Sequence, residues 1–236
     1  PWSGWPGGWG HRPPWAGRAA GRGPGMAGAV RAGCHADGPF PWGGAGMSTY
    51  RIGYLVGSLA KGSINRKLAK ALAKLAPPEL ALEEIPIGEL PLYSYDYDAD
   101  FPEVARRFKQ AIAGVDGVLF VTPEYNRSIP GALKNAIDWA SRPWGQNSFS
   151  RKPSGVIGTS PGAIGTAVAQ QQLRGVLCFC NSPLMNTLEA YIQFTPGLID
   201  DDGNVGNDGT ADFLRKYLQE YAIFVQRVLT VLPRED

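Results

Sequence analysis

From residue 50 onward the chain alternates short unbroken apolar runs with stretches whose apolar residues return every three or four positions. Tyr50 to Val56 is a run of the first kind that stops at Gly57, the pattern of a strand covered on both faces. Ile64, Leu68, Leu72 and Leu75 then repeat at helical spacing until Pro77-Pro78, which cannot continue a helix. Leu82 to Pro86 reads as a second, weaker strand, and Leu92 to Tyr97 as a polar aromatic loop. Val104, Phe108 and Ile112 mark the next helix, and Gly117 to Val121 a strongly apolar third strand. Pro130 suits the first turn of a helix that carries Leu133, Ile137 and Trp139. Ser154 to Gly158 predicts the fourth strand, Ala163 to Val176 a helix, and Leu184 to Ala190 the fifth strand. Leu214, Leu218, Tyr221, Val225 and Val228 line one face of a last helix.

Strands that alternate with helices imply a parallel sheet covered on both faces, because each right-handed crossover packs its helix back on the sheet. Five such strands fit a flavodoxin-like, doubly wound α/β fold with strand order 2-1-3-4-5. In that order the topological switch lies between strands 1 and 3, so a ligand is expected at their carboxyl ends. The loops beginning at Gly57 and at Thr122 are therefore the ones to read for chemistry.

Residues 1–46 break the pattern, since 21 of the 46 are Gly or Pro and no aliphatic period runs through them. Such a segment cannot bury enough apolar surface to offset an ordering cost of about 1–2 kcal/mol per residue. It predicts a disordered tail ahead of a domain over 47–236. Its tryptophans (Trp2, Trp5, Trp9, Trp15, Trp42) sit at irregular spacing, and it holds no continuous apolar stretch of a secretory signal. Met47 followed by Ser48-Thr49-Tyr50 reads as a natural protein start, which leaves the tail as either an upstream extension or the product of a misplaced start codon.

The whole chain has a net charge of +2, and the tail holds Arg12, Arg18, Arg22 and Arg31 against Asp37, so the domain is close to neutral. Neutrality argues against a nucleic-acid or anionic-membrane surface, and no run of 18 apolar residues predicts a membrane span. Both histidines, His11 and His35, lie in the tail, which leaves the domain without an imidazole for a base, a triad or a metal. Cys178 and Cys180 have no second pair to complete a metal site and read as buried small side chains in a reducing, cytoplasmic setting. Chemistry must then come from carboxylates, hydroxyls, backbone groups or a cofactor.

The first loop runs Gly57-Ser58-Leu59-Ala60-Lys61-Gly62-Ser63-Ile64-Asn65 into a helix, where free N–H groups, hydroxyls and a lysine suit a phosphate. A Walker loop needs Lys between the last Gly and the Ser, and Gly62 is followed directly by Ser63. The dinucleotide fingerprint is absent too. A monophosphate, with FMN the commonest on this fold, and an ordinary N-capped turn at Ser63 both remain open from this loop. The second loop reads Thr122-Pro123-Glu124-Tyr125-Asn126-Arg127-Ser128-Ile129-Pro130-Gly131-Ala132-Leu133-Lys134-Asn135-Ala136-Ile137-Asp138-Trp139.

From Pro123 to Trp139 the sequence resembles the signature of the NADPH-dependent FMN reductase family, which includes quinone, chromate and azo-dye reductases. The Gly57–Asn65 loop is similar to that family's phosphate loop, and Ser160-Pro161-Gly162-Ala163-Ile164-Gly165 is similar to the loop that closes over its flavin. The resemblance covers roughly Tyr50 to Val231. It implies that Ser58, Lys61, Ser63, Ile64 and Asn65 hold the FMN phosphate. Pro123, Glu124, Tyr125 and Asn126 would line the ring, and Ser160 and Gly162 would meet its edge. It further implies NADPH or NADH as donor, a small electron acceptor such as a quinone, chromate or azo compound, and a homodimer or homotetramer. Electrons would pass through flavin N5, with no catalytic side chain and no metal. Family members often carry Gly-Gly where this chain has Gly165-Thr166, a departure that touches the third loop's backbone.

Competing readings are a non-enzymatic FMN-binding electron carrier or redox sensor, and a hydrolase or nucleotide regulator on a similar sheet. Near-neutral charge disfavours the carrier, absent histidine and an expected lack of a G-x-S-x-G elbow disfavour the hydrolase, and the missing Walker lysine disfavours the regulator. Asp200-Asp201-Asp202-Gly203-Asn204 hints at a calcium loop, but its register would put Leu198 first and Gly209 at the bidentate position, so a solvated turn is expected. Tyr93, Tyr95 and Tyr97 fit either a cover for the site or a surface loop with one buried ring. Arg127 could meet a nucleotide phosphate or point to solvent.

Overall fold

The computed structural model describes residues 49–233, so the expected tail over 1–46 and Cys34 within it lie outside the described residues. Five parallel strands, β1 (Tyr50–Val56), β2 (Leu80–Glu84), β3 (Gly117–Val121), β4 (Ser154–Ser160) and β5 (Ala190–Gln193), form one sheet in the order β2-β1-β3-β4-β5. Helices α1 (Ile64–Leu75), α2 (Glu103–Ala113), α3 (Gly131–Ala140), α4 (Ala167–Phe179) and α5 (Asp208–Val231) connect the strands or follow the last one. This is the doubly wound order expected from the alternation of apolar patterns.

Alternate residues of the central strands feed two separate cores, as a period of two requires. Ile52, Val56, Leu119 and Val121 join Leu68 and Leu72 of α1 and Leu214, Tyr217, Leu218 and Tyr221 of α5 on one face. Leu55, Val118 and Phe120 join Phe108 of α2, Leu133 and Trp139 of α3, and Leu173 of α4 on the other. The central strands are thus buried from both sides, which is why β1 and β3 read so cleanly as unbroken apolar runs. No helix among the described residues is long and apolar enough to cross a membrane.

Several boundaries differ from those the sequence suggests, among them the end of β4, which runs on to Ser160. β2 begins at Leu80, paired with Tyr50, and ends before Pro86, which has no N–H to add to the ladder. Pro130 stands at the N-cap of α3, one residue ahead of the first turn. α4 starts at Ala167 rather than Ala163, because Gly165 adopts a left-handed φ of +58° that no helix continues through. β5 is Ala190–Gln193, whereas Leu184 makes only an isolated bridge to Ser154. Ser154 bonds the Pro183 carbonyl and the Met185 N–H there, but the Met185 carbonyl and the Asn186 side chain are taken by Arg174 Nη1, so the ladder does not continue.

Candidate functional site

The carboxyl ends of β1, β3 and β4 lie side by side, with Val56 against Val121 and Val121 against Ile157. The three loops that leave them converge on one cleft. After β1, the chain turns through Gly57–Gly62 into α1, whose N-cap Ser63 accepts the Arg66 N–H on Oγ at 3.3 Å. Ser58 Oγ accepts the Ala60 N–H at 3.4 Å. Ser58 and Ser63 are both buried. The N–H groups of Leu59, Lys61, Gly62, Ile64 and Asn65 have no acceptor among the described residues. The first turn of α1 contains no acidic residue to answer the helix dipole. Unclaimed amides, buried hydroxyls and an uncompensated positive helix end form a cradle for an anion.

After β3, Thr122 is fully buried and its hydroxyl donates to the Pro123 carbonyl at 2.8 Å. Tyr125 and Ser128 exchange both backbone hydrogen bonds, at 3.2 and 3.0 Å, around a two-residue turn. Asn126 and Arg127 in that turn have φ of +52° and +62°, the left-handed pair of a type I′ turn. The Glu124 carboxylate is nearly buried, with a side chain 7 % exposed. Its Oε2 accepts the Ala169 N–H at 3.1 Å, and its Oε1 meets Arg127 Nη1 at 3.3 Å. Thr166, the N-cap of α4, makes no side-chain cap of its own, so Glu124 caps that helix from a different loop. The Tyr125 hydroxyl lies 3.5 Å from Ser58 Oγ and joins the first two loops.

After β4, Ser160 Oγ accepts the Gly162 N–H at 3.2 Å, and the Gln193 amide donates to the Pro161 carbonyl at 3.2 Å. The cleft has two adjoining parts. One, of about 220 Å³, is bounded by Ser58, Ser63, Ile64 and Asn65 on one side and by Pro123, Tyr125 and Ser160 on the other. The second, of about 520 Å³, is bounded by Asn126, Arg127, Gly162 and Ile164. Glu124 and Ser160 border both parts. A small chamber bordered by hydroxyls and unclaimed amides, adjoining a larger one, fits a phosphate ester that carries a planar ring.

Ten of the eleven residues implied by the family resemblance border this cleft. Lys61 does not, and its side chain is exposed at the rim. Asn65 borders it but spends its amide elsewhere, donating to the Thr159 carbonyl at 2.9 Å and accepting the Thr159 N–H at 3.0 Å. It therefore pins the end of β4 to the start of α1. Gln172 of α4, absent from the sequence reading, bonds the Arg127 carbonyl and the Ser128 hydroxyl. No local pattern marks it, because its partners lie some 45 residues earlier. Contrary to the expectation that no nucleophile elbow is present, Gly158-Thr159-Ser160-Pro161-Gly162 has the G-x-S-x-G spacing, so the case against a hydrolase rests on histidine alone. With no histidine from residue 47 onward, Ser160 has no imidazole base within the fold.

The remaining candidates resolve away from the cleft. Cys180 is buried as expected, but Cys178 is exposed on the outer face of α4. The described residues hold no cluster of His, Cys, Asp and Glu able to bind a metal. Asp200 Oδ1 accepts the N–H groups of Asp202 and Asn204, at 3.0 and 2.8 Å, in a solvated turn. Tyr93 packs edge-on against Trp139 at 5.1 Å and donates its hydroxyl to Asp98, while Tyr95 is exposed.

Residues 50–196 match the profile of the family described as NADPH-dependent FMN reductase. The chain is 54 % identical over 176 residues to a 2-hydroxy-1,4-benzoquinone reductase of Burkholderia sp, covering 75 % of this chain and 96 % of that protein. It is 49 % identical over 178 residues to a quinone reductase of Pseudomonas putida, covering 75 % and 95 %. Among solved structures, the flavoenzyme FerB, an NAD(P)H:(acceptor) oxidoreductase of Paracoccus denitrificans, superposes with a TM-score of 0.73 at 46 % identity. That match covers 76 % of this chain and 98 % of FerB.

Proposed function

Because this chain belongs to the NADPH-dependent FMN reductase family, we propose that it uses FMN in the three-loop cleft to reduce a quinone-like acceptor with NAD(P)H. The chain is an FMN-dependent oxidoreductase of the quinone reductase kind. The redox chemistry supplied by FMN when bound is two-electron transfer from the nicotinamide to the acceptor.

The protein's own residues bind and orient. The amides of Ile64 and Asn65, with Ser58 and Ser63, hold the phosphate, and Lys61 adds charge from the rim. Pro123, Glu124, Tyr125, Asn126, Ser160 and Gly162 line the ring chamber. The observation that carries this reading is the row of unclaimed amides at the start of an α1 that has no acid in its first turn. The Asn126 and Arg127 amides, also without acceptors, are placed to meet negative charge that builds on the ring during reduction. The exposed Arg127 guanidinium suits the phosphate of the nicotinamide nucleotide.

The folded domain spans 47–236 and acts in the cytoplasm as a homodimer or homotetramer. Free Cys178 and Cys180 fit a reducing compartment. Exposed Trp144 and Phe179, with ring centroids 6.5 Å apart, suit contact with a second copy. The purified protein is expected to bind FMN with loss of flavin fluorescence and to oxidise NADPH only when FMN and 1,4-benzoquinone are both present. Ser63→Ala removes a hydroxyl donor and the cap of α1, and is expected to weaken FMN by roughly 10-fold. Quinone-independent, FMN-independent NADPH oxidation, or no FMN uptake at all, would refute the reading.

A further inference from the structure

The turn beside the wider part of the cleft is held in an unusual conformation by a residue outside that cleft. Type I′ turns favour Asn-Gly, because both central residues take positive φ. Here the second of them is Arg127, at φ +62°. A side chain of that bulk has no intrinsic preference for the left-handed region, so neighbouring groups must hold it there.

Two groups on α4 do so. The Gln172 carboxamide donates from Nε2 to the Arg127 carbonyl at 2.9 Å and accepts from Ser128 Oγ on Oε1 at 2.7 Å. One turn earlier, the Ala169 N–H binds Glu124, whose other oxygen meets the Arg127 guanidinium. The helix that carries them is itself fixed, since Leu173 and Leu177 are fully buried and the Gln170 Nε2 donates to the Ala190 carbonyl at 2.8 Å. Gln172 is exposed and does not border the cleft. Its contribution therefore passes through the turn.

We propose that Gln172 is a positioning residue that holds the Asn126–Arg127 turn in its left-handed form, and so presets the ring side of the cleft for FMN. The inference rests on the FMN reading above. A turn that is already set spares the ligand the cost of ordering it. Without the clamp, Arg127 relaxes toward negative φ, and the Asn126 and Arg127 amides no longer face one place together.

The test is a mutant cycle on the full chain, with the FMN dissociation constant read from flavin fluorescence and the melting temperature of the FMN-free protein read in parallel. Gln172→Leu is expected to weaken FMN by roughly 5- to 30-fold, the worth of one to two hydrogen bonds, with little change in melting temperature. Gln172→Glu, which keeps the acceptor for Ser128 but loses the donor to Arg127, is expected to fall between. In an Arg127→Gly background the turn holds its form unaided. There, Gln172→Leu is expected to change the affinity by less than about 2-fold. Should Gln172→Leu fail to fold, Ser128→Ala replaces it in the same cycle. Equal losses in both backgrounds, or no loss in either, overturn the inference while leaving FMN binding by the wild type intact. A wild-type chain that takes up no FMN overturns the functional reading first, and this inference with it.

Discussion

Gly165 shows how much of the cleft rests on single backbone positions. Its φ is +58°, and a Cβ added there would stand 2.7 Å from the Tyr191 carbonyl carbon and 2.9 Å from the Ile192 nitrogen. Neither backbone atom can move without pulling β5 from β4, whose pairing sets Thr159 against Ile192 and Ser160 against Gln193. Gly165→Ala therefore combines left-handed strain with a backbone clash. It is expected to destabilise the protein by about 2 kcal/mol or more in urea unfolding, with weaker FMN binding because Ala163 and Ile164 border the cleft. The departure noted in the sequence, Thr166 in place of a second glycine, proves harmless to the backbone. Thr166 is buried, has φ of −121°, and accepts the Gln170 side-chain amide at 2.9 Å. The need for glycine at 165 was not legible, since the atoms that forbid a side chain come from residues 191 and 192, far along the chain.

Whole elements differ in how plainly the sequence announces them, and burial explains the difference. β1 and β3 are covered on both faces and appear as continuous apolar runs with their observed ends. β5 is four residues long, and its last residue, Gln193, is exposed, so it carries a weak apolar signal and Leu184, Met185 and Leu188 just ahead of it suggest a strand too early. The turn after β1 was legible as a candidate anion site because glycines, serines and a helix start are local features. The clamp on the second turn was not, because α4 supplies it. Another long-range element contact, between α1 and the 200–204 turn, leads to a prediction about pH. Lys67 pairs with Asp201 at 2.7 Å, Lys70 donates to the Asp201 carbonyl and Lys74 to the Asn204 side chain. The Asp200 carboxyl is held below its ordinary value of 3.8, first by the Asn204 side-chain amide and then by the N–H groups of Asn204 and Asp202. A carboxyl lowered on folding adds stability above its unfolded value and loses it as pH falls through the folded one. Asp200→Asn is therefore expected to lower the urea midpoint at pH 7 and to converge on the wild type below about pH 3.8. Parallel curves across that range would show that the turn contributes nothing through its charge.

At the scale of the molecule, the candidate cleft and the tyrosine anchors of α5 occupy opposite ends of one sheet. The cleft lies past the carboxyl ends of β1, β3 and β4, while α5 is tied to the sheet lower down. Tyr217 donates to the Val156 carbonyl at 2.9 Å. The Tyr221 hydroxyl lies 3.0 Å from the Val118 carbonyl and 3.2 Å from that of Pro153, so it bridges the starts of β3 and β4. Both tyrosines are fully buried, and burial pushes the Tyr221 phenol well above its ordinary range, so it stays a neutral donor at any working pH. Gly117 and Gly155 leave room for these rings, since a Cβ at either would press on the Tyr221 or Tyr217 side chain. Tyr221→Phe keeps the packed ring but removes the one O–H that the two carbonyls share, of which Pro153 keeps the Val118 N–H at 2.9 Å, at a cost of about 1–2 kcal/mol. For a fold of this size the melting temperature should drop by about 2–8 °C. The FMN dissociation constant should hold, because neither Tyr221 nor the Val118 and Pro153 carbonyls it meets border the cleft. A loss of FMN affinity in Tyr221→Phe as large as in Ser63→Ala would mean that the two ends of the sheet are coupled, and that the cleft depends on the whole scaffold and not on its three loops.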